Sequence, residues 1–541
     1  MNPTTDFRSL AERIVDDLLE ADPVAATSLG DHRFDGRLTG VSAPAARRDR
    51  LDDHVAMLDA IDDIELGVAD FVDLEILRAR VLRDRFMLAE LRPHEWNPMW
   101  WNPGTGLYLL VSRDFAPADE RAVAMRGRLA AIPDHLEQAR AILQEMPRIH
   151  VETAIQQFHG TGSLIRGDAA RLAGDDAVVH AATVAVERFE EWLSAQLPES
   201  QRDPRLGPDL YAAALWHALD EDTAADALLA DALEQLDRVG TELRDLAAAY
   251  LGLTEADDAV VRVALNEVAS SAPVTDATVL PLMEAALART TAFVRREDLV
   301  TVPDLDVRMV EMPEIHRGTA VAYCDAPGPL EEADVATYVA VAPTPVGWDA
   351  DRVASFYREY NGIALHGLVA HEAMPGHVLQ LAHARTLESE TRVRRLGRSG
   401  VLVEGWAVYA EQMMVDAGYQ PLDDPRSALA VTLQQRKMLL RGIINTILDI
   451  SVHAHGMQEA EAMSLMVDRG FQEVGEAAGK WRRALLTAAQ LPTYHVGFRA
   501  VETIAADLRV LHPDWSPRQV HDLMLAFGSP APRHLRTLLG I

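Results

Sequence analysis

The helical repeat of apolar residues is the feature that most constrains this chain. Leu10, Ile14 and Leu18 form one stripe near the start, because positions three and four apart lie on the same face of a helix. The repeat continues through long segments with few glycine or proline breaks. We predict helices over Asp70 to Leu91, Ala118 to Met146, Asp175 to Leu197, Ala224 to Tyr250, Val274 to Val294, Asp351 to Ala370, Ser399 to Ala417, Pro425 to His455, Glu459 to Arg469 and Arg499 to Leu511.

The periodicity changes between residues 303 and 348. Thr319 to Tyr323 and Ala336 to Val341 are short runs rich in β-branched and aromatic residues, which predict two strands. The predicted fold class is mainly α, a large two-lobed helical fold with a deep cleft and one small β-sheet near residues 319–341. We expect an N-terminal helical half, 1–300, and a C-terminal half, 301–541, or one continuous two-lobed domain.

Charge and cysteine content narrow the classes of partner. The 541 residues carry 83 acidic and 51 basic side chains, a formal charge of −32, which repels nucleic-acid phosphates and anionic membranes. The single cysteine, Cys324, suits a reducing compartment. The first 17 residues have no apolar stretch typical of a secretion signal, and no run of 18 apolar residues occurs. We expect a cytoplasmic protein without a nucleic-acid or membrane partner, and allow for a homodimer.

The segment from His371 to His377 carries the clearest chemical signal. In the H-E-x-x-H pattern of zinc peptidases, two histidines four residues apart share a helix face and bind zinc. Here the spacing is six, which on a straight helix would turn the second imidazole away from the first. Pro375 and Gly376 lie between them and favour a bulge or break in the helix. We expect the break to return His377 to the side of His371.

A third ligand is expected from a second helix. Glu404 and Glu411 are seven residues apart, so both face the same way on an otherwise apolar helix. Two carboxylates in such a place are costly unless a cation or a donor meets them. We interpret Glu404 as the ligand and Glu411 as a carboxylate behind the ligands, with the opposite assignment left open.

Two imidazoles, one carboxylate and a water complete a catalytic zinc site. Glu372 can accept the proton of that water and pass it to a leaving amine, which predicts amide hydrolysis. The developing oxyanion needs a further donor, for which Tyr494 is the first choice and His495 the second.

A polar stripe lies on the helix from Arg441 onward. Arg441, Asn445, Asp449 and His453 recur at every fourth residue among apolar neighbours. A buried and mutually paired stripe is the simplest interpretation. Recognition of a substrate carboxylate by Arg441 is the alternative.

The paired motifs resemble a known family. The pattern H-E-x-x-P-G-H at 371–377, followed by V-E-G-W-A-x-Y-A-E at 403–411, resembles the bacterial domain of unknown function 885 family, which is similar to the gluzincin metallopeptidases. The segments 22–30 and 448–453 also look like that family, so the resemblance covers nearly the whole chain. It implies zinc ligation by His371, His377 and Glu404, and a base role for Glu372. Val378 stands where family members commonly have a further histidine.

The expected function is therefore a zinc-dependent hydrolase that cleaves short peptides. A helix-walled channel favours short peptides over folded proteins, and the strands near Thr319 to Val341 offer an edge to which an extended peptide can pair. One alternative is a zinc hydrolase of a non-peptide amide or ester. Another is a non-catalytic protein that binds a peptide or small molecule in the same cleft.

Overall fold

This computed structural model describes residues 3–40, 44–313, 321–345 and 347–541. Capping side chains set many of its helix boundaries. Asp22 accepts the backbone N–H of Ala25 and precedes Pro23, which suits the first position of a helix. Asn361 likewise accepts the N–H groups of Ile363 and Ala364. The sequence predicts one helix from Asp351 to Ala370, and this is wrong, because the cap at Asn361 starts a second helix there.

The helices before residue 300 contribute residues to each of the apolar clusters of the core. They are α1 Pro3–Ala21, α2 Pro23–Leu29, α3 Pro44–Asp59, α4 Val68–Phe86, α5 Pro93–Trp96, α6 Gly104–Ser112, α7 Ala118–Ile142, α8 Arg148–Leu164, α9 Ala170–Ala173, α10 Asp176–Gln196, α11 Pro208–Leu219, α12 Ala225–Leu251, α13 Asp258–Ser271 and α14 Val279–Arg296.

The helices after residue 345 include those with the histidine motif. They are α15 Ala350–Glu359, α16 Gly362–Glu372, α17 His377–Arg385, α18 Val393–Leu396, α19 Gly400–Asp416, α20 Arg426–His453, α21 Glu459–Ser464, α22 Val474–Leu486, α23 Thr493–Leu511, α24 Pro517–Leu525 and α25 Pro532–Leu539. The mainly α-helical fold is thus confirmed. No helix of the described residues combines the length and the apolar character needed to cross a membrane.

One small sheet lies between the two groups of helices. It contains β1 Val307–Glu311, β2 Ala322–Asp325 and β3 Thr337–Val341 in the order β1-β3-β2. β1 runs parallel to β3, with Val307 opposite Thr337, and β2 runs antiparallel to it, with Ala322 opposite Val341. β2 is therefore an edge strand.

The sheet agrees with the sequence in part. β3 is confirmed, and the first predicted strand lies three residues later than expected, where Thr319 and Ala320 fall outside the described residues. β1 was not predicted, because its short V-R-M-V-E run lies between prolines and has an incomplete alternation.

The core consists of several apolar clusters. The largest contains Met283 of α14, Val339 of β3, Trp406 of α19 and Leu440 of α20, so it takes residues from both sides of position 300. A second cluster joins α6 to α10, and a third joins α1, α3 and α4. A division into halves at residue 300, with a deep cleft between two lobes, stays a prediction.

Candidate metal centre

The helix breaks at the proline and glycine between the two histidines. α16 ends at Glu372 and α17 begins at His377, with a cis peptide bond between Met374 and Pro375. A Cβ on Gly376 would overlap the carbonyl oxygen of His371, so only glycine fits at this corner. The indole of Trp406 on α19 donates to the carbonyl of Pro375 at 2.9 Å. The corner is thereby fixed against the helix that carries Glu404.

His371, His377 and Glu404 lie together at this break. Glu404 Oε2 is 3.7 Å from His371 Nε2 and 3.5 Å from His377 Nε2. One ligand atom from each residue lies within 4.8 Å of the others, and the two imidazole planes are 87° apart. Atoms bound at ~2.0–2.2 Å to a tetrahedral ion lie roughly 3.3–3.6 Å apart. The three residues therefore fit a zinc ion after a small inward movement of the imidazoles.

Glu411 lies behind the first histidine. His371 Nδ1 is 2.7 Å from Glu411 Oε1, and because a carboxylate only accepts, the ring nitrogen donates. This contact leaves the Nε2 lone pair of His371 for a metal and fixes the ring. The geometry favours Glu404 as the ligand and Glu411 as its support. Within the described residues, His377 Nδ1 is buried and has no such partner.

The charges of the centre are strongly coupled. Burial disfavours the charged form of Glu404, but His371 and His377 outweigh it and hold the pKa of this carboxyl well below its usual range. Burial alone would lower the pKa of His371, yet Glu404 and Glu411 raise it well above the ordinary value. Carboxylates thus surround two imidazoles, an arrangement that attracts a cation.

Glu372 is the next residue after the first histidine and is buried at the end of α16. Its carboxylate makes no hydrogen bond or ion pair with any residue of the described chain. Cys324 of strand β2 lies within electrostatic range of Glu372. Burial, and to a smaller extent the negative charge of Glu372, raise the pKa of the Cys324 thiol. A free carboxylate beside the metal ligands is what a general base requires.

Comparisons with known proteins give the family. The family model described as "Bacterial protein of unknown function (DUF885)" matches residues 23–539, nearly the whole chain. The chain belongs to the DUF885 family. No curated protein matches its sequence.

Two candidate lipoproteins of known structure share the fold of this DUF885 protein. A candidate lipoprotein of unknown function from Shewanella oneidensis is 28% identical, with a TM-score of 0.80 over 99% of this chain and 100% of that one. A candidate lipoprotein from Colwellia psychrerythraea is 15% identical, with a TM-score of 0.80 over 100% and 99%. An M32 carboxypeptidase from Deinococcus radiodurans R1 reaches a TM-score of only 0.30 at 13% identity, over 92% and 96%.

The two predicted oxyanion donors of the DUF885 chain lie at the start of α23. Tyr494 is half-buried and accepts a hydrogen bond from Arg483 at 3.3 Å. His495 faces Asp231 of α12 at 3.4 Å, and burial lowers its pKa to about 4. Adjacent helical residues point about 100° apart, and these two side chains contact different helices, α22 and α12. No hydrogen bond of the described residues joins either to His371, and both roles stay predictions.

The polar stripe on α20 is buried at Asn445, Asp449 and His453 and half-buried at Arg441, and its members do not pair with one another. Arg441 donates to the Tyr360 hydroxyl at 2.9 Å and pairs with Glu476. Because Arg441 already has an internal carboxylate partner, the geometry favours a structural role over substrate recognition.

The lower members of the stripe also bind other helices. Asp449 accepts from the Tyr211 hydroxyl at 2.8 Å and from the N–H of Ala489 at 2.7 Å, and burial raises its pKa to about 7. His453 donates to the Ala484 carbonyl at 2.8 Å, and the Oδ1 of Asn445 is buried without a partner among the described residues. The expected mutual pairing is wrong, since the neighbouring helices supply nearer partners.

Sequence reasoning missed Arg398, which precedes α19 by two residues. Burial lowers the pKa of its guanidinium, whereas the charges of Cys324 and Glu404 raise it, so Arg398 lies within electrostatic range of the metal centre. Its position six residues before Glu404 is the only sequence signal, and a single arginine in a loop is too common to single out.

Proposed function

We propose that this DUF885 protein is a zinc-dependent hydrolase, most specifically a peptidase for short peptides. The observation that carries the proposal is the cluster of His371, His377 and Glu404, with Glu372 unpaired beside it and Glu411 behind it. When bound there, zinc would polarise a carbonyl and lower the pKa of water toward ~7.

The protein's own residues supply the remaining steps. Glu372 takes the proton of the attacking water and gives it to the leaving amine, so that the C–N bond breaks and an acid and an amine form. Glu411 keeps the His371 ring in place through Nδ1.

The sheet supports an extended substrate. β2 is one of the two edge strands of the described sheet, and its Cys324 lies within electrostatic range of Glu372. A peptide that adds to this edge as a further strand would present its backbone to the base. A cytoplasmic location and a homodimer stay predictions of the sequence, and both relatives of high TM-score are described as candidate lipoproteins.

Measurement of the bound zinc distinguishes a zinc hydrolase from a binding protein without a metal. We expect wild-type protein stripped of metal and restored with zinc to bind about one ion, and His371→Ala to lose it. His383→Ala removes a half-buried histidine of α17 that binds the Thr301 carbonyl, and should keep the ion. Equal zinc content in the His371 and His383 variants would refute the metal centre.

Digestion of a peptide library, read by mass spectrometry, tests the chemistry. Glu372→Gln should keep the zinc and lower kcat about 10²–10⁴-fold, the usual contribution of a general base. Full hydrolysis by this variant would refute the base. Cleavage of esters or non-peptide amides alone would favour the alternative substrate class, and a bound ion without any hydrolysis would favour a binding protein.

A further inference from the structure

Lysine is rare in this chain, and both of its lysines lie in one buried cluster. Of the 51 basic side chains, 49 are arginines, and the two lysines are Lys437 on α20 and Lys480 on α22. Both are more than nine-tenths buried. A buried ammonium group can lose its proton, whereas a guanidinium stays charged. These two positions therefore hold basic groups that are able to become neutral.

Lys480 differs from nearly all other buried charged residues. Of the Asp, Glu, Lys and Arg side chains that are more than nine-tenths buried in the described residues, only Glu372 and Lys480 have no hydrogen bond or ion pair. Glu372 is the proposed base beside the metal ligands. The Nζ atom of Lys480 is not fully closed off from solvent, since the fully buried polar atoms without a partner do not include it. Such an amine is costly unless it stays neutral or a ligand meets it.

Two carboxylates lie within electrostatic range of Lys480, and both already have a cationic partner. Glu359, the last residue of α15, accepts from Lys437 Nζ at 2.8 Å. Glu476 of α22 pairs with Arg441 of α20. Neither carboxylate approaches Lys480 closely enough to form an ion pair.

One face of α22 carries more positive charge than the cluster neutralises. Glu476, Lys480 and Arg483 stand at positions i, i+4 and i+7 and therefore share that face. Arg483 donates to the amide oxygen of Gln490 at 2.9 Å and to the Tyr494 hydroxyl at 3.3 Å, which are both neutral acceptors. No carboxylate of the described residues pairs with it. Two basic groups on this face thus have no negative partner.

These neighbours favour the neutral form of the amine. Burial, and then the charges of Arg441 and Arg483, hold the pKa of Lys480 well below its usual range. Glu476 and Glu359 act in the opposite direction and do not outweigh them. A desolvated lysine next to other cations is a nucleophile. Its lone pair can attack a carbon electrophile that reaches Nζ.

The charge of the product decides which electrophile suits the site. An aldehyde would give an imine, which is neutral or positive and gains nothing from Arg441 and Arg483. Carbon dioxide gives a carbamate, whose negative charge the two guanidinium groups stabilise. Carbon dioxide is also small and neutral, so it enters a buried site without the desolvation cost of an anion.

We propose that Lys480 is a site of reversible modification by carbon dioxide, where the amine forms a carbamate stabilised by the charges of Arg441 and Arg483. The Nζ lone pair attacks the carbon of carbon dioxide, a C–N bond forms, and one C–O π pair moves onto oxygen. Nζ then releases one proton to water. The amine and carbon dioxide thus give a carbamate anion and a proton, with no oxidation or reduction. The reaction needs neither the metal centre nor the proposed hydrolase.

The ¹³C NMR spectrum of the full-length protein in ¹³C-bicarbonate buffer tests the proposal. The sequence offers three primary amines, which are Lys437, Lys480 and the amino terminus. We expect a carbamate signal from Lys480, and none from Lys437, because its amine is paired with Glu359. Lys480→Met should lose this signal and keep that of the amino terminus. Lys437→Met is the matched control and should keep both.

A second pair of variants tests the role of the neighbouring charge. Arg483→Gln should lower the carbamate fraction at a fixed bicarbonate concentration roughly tenfold, because it loses a charge that favours both the neutral amine and the anionic product. Arg482→Gln removes the adjacent arginine of α22, which donates to Thr153 of α8 at 2.7 Å, and should leave the fraction unchanged. Alkylation of the carbamate with triethyloxonium, followed by mass spectrometry of the peptides, identifies the modified residue.

Three results would overturn the proposal. The first is the absence of a Lys480 adduct at saturating bicarbonate. The second is an equal adduct fraction in the wild-type and Arg483→Gln proteins, since the guanidinium group would then not stabilise the product. The third is a rise in the unfolding temperature with acetate that Lys480→Met abolishes, without any adduct from bicarbonate. Acetate cannot form a carbamate, so this result would assign the site to noncovalent binding of an anion.

Discussion

Glu411 lies behind His371, a proposed metal ligand, where it can influence metal binding. Its carboxylate accepts from His371 Nδ1 at 2.7 Å, which orients the ring and makes Nε2 more basic. We expect Glu411→Gln to weaken zinc binding about 10–100-fold, because a neutral amide keeps the shape and loses the charge. Competition with a chromophoric chelator measures the change. Asp416→Asn, at the exposed end of the same helix, should bind zinc as tightly as the wild-type protein, and an equal affinity of the Glu411 variant would contradict the role.

At the level of single residues, the sequence predicted the cluster of His371, His377 and Glu404 because its signals are local. His371 and His377 are six positions apart around a proline and glycine, and Glu404 stands alone among apolar residues. The sequence alone could not decide whether Glu404 or Glu411 is the third ligand, since residues seven positions apart share a helix face. Arg398 was missed because it comes within electrostatic range of Glu404 only through the fold of the segment before α19, which no local pattern encodes.

Gly376 determines whether α16 and α17 form one helix or two. Any Cβ at this position would overlap the carbonyl oxygen of His371, so Gly376→Ala must move the corner. We expect this variant to lose zinc binding at least tenfold and to unfold at a lower temperature. Gly367→Ala is the matched control, because Gly367 lies inside α16 and a Cβ there meets nothing within 4 Å.

The control should raise stability by about 0.5–1 kcal/mol, since alanine favours a helix more than glycine does. Thermal unfolding and zinc titration of both variants give the comparison. A Gly376→Ala protein with wild-type zinc affinity would show that the corner does not position His377.

Helices with a long apolar repeat were predicted well. The helix boundary set by a capping side chain and the strand that depends on pairing with another strand were not. α7, α10, α12, α19 and α20 lie within a few residues of their predicted bounds. The break at Asn361 depends on a side chain capping its own backbone, a signal that the apolar repeat on both sides conceals. β1 depends on pairing with β3, 30 residues away, so its own five residues hardly mark it.

In the whole molecule, distant segments are joined by polar contacts that the sequence does not reveal. His32, in the 3₁₀ turn His32–Phe34 after α2, lies 2.9 Å from Asp35 and 3.0 Å from Glu331, which follows β2. A Cβ on Gly30, whose φ is +88°, would overlap the backbone of Glu331, so the two segments are in direct contact. This contact fixes the N-terminal helices beside the sheet that borders the metal centre.

The same contact makes stability depend on pH. Burial would lower the pKa of His32, but the hydrogen bonds with Asp35 and Glu331 outweigh it and raise the pKa to about 9. A histidine whose pKa is higher in the folded than in the unfolded chain stabilises the fold fully below about pH 6.5. That stabilisation is lost as the pH rises through 9.

We expect His32→Gln to lower the free energy of unfolding by roughly 1–3 kcal/mol at pH 6 and by much less at pH 9.5. Denaturant unfolding of both proteins at the two pH values measures the difference. His180→Gln removes an exposed histidine of α10 and should change stability little at either pH. If the loss caused by His32→Gln were equal at pH 6 and 9.5, the contact would act through packing on Phe115, whose ring centroid lies 3.9 Å from that of His32, and not through charge.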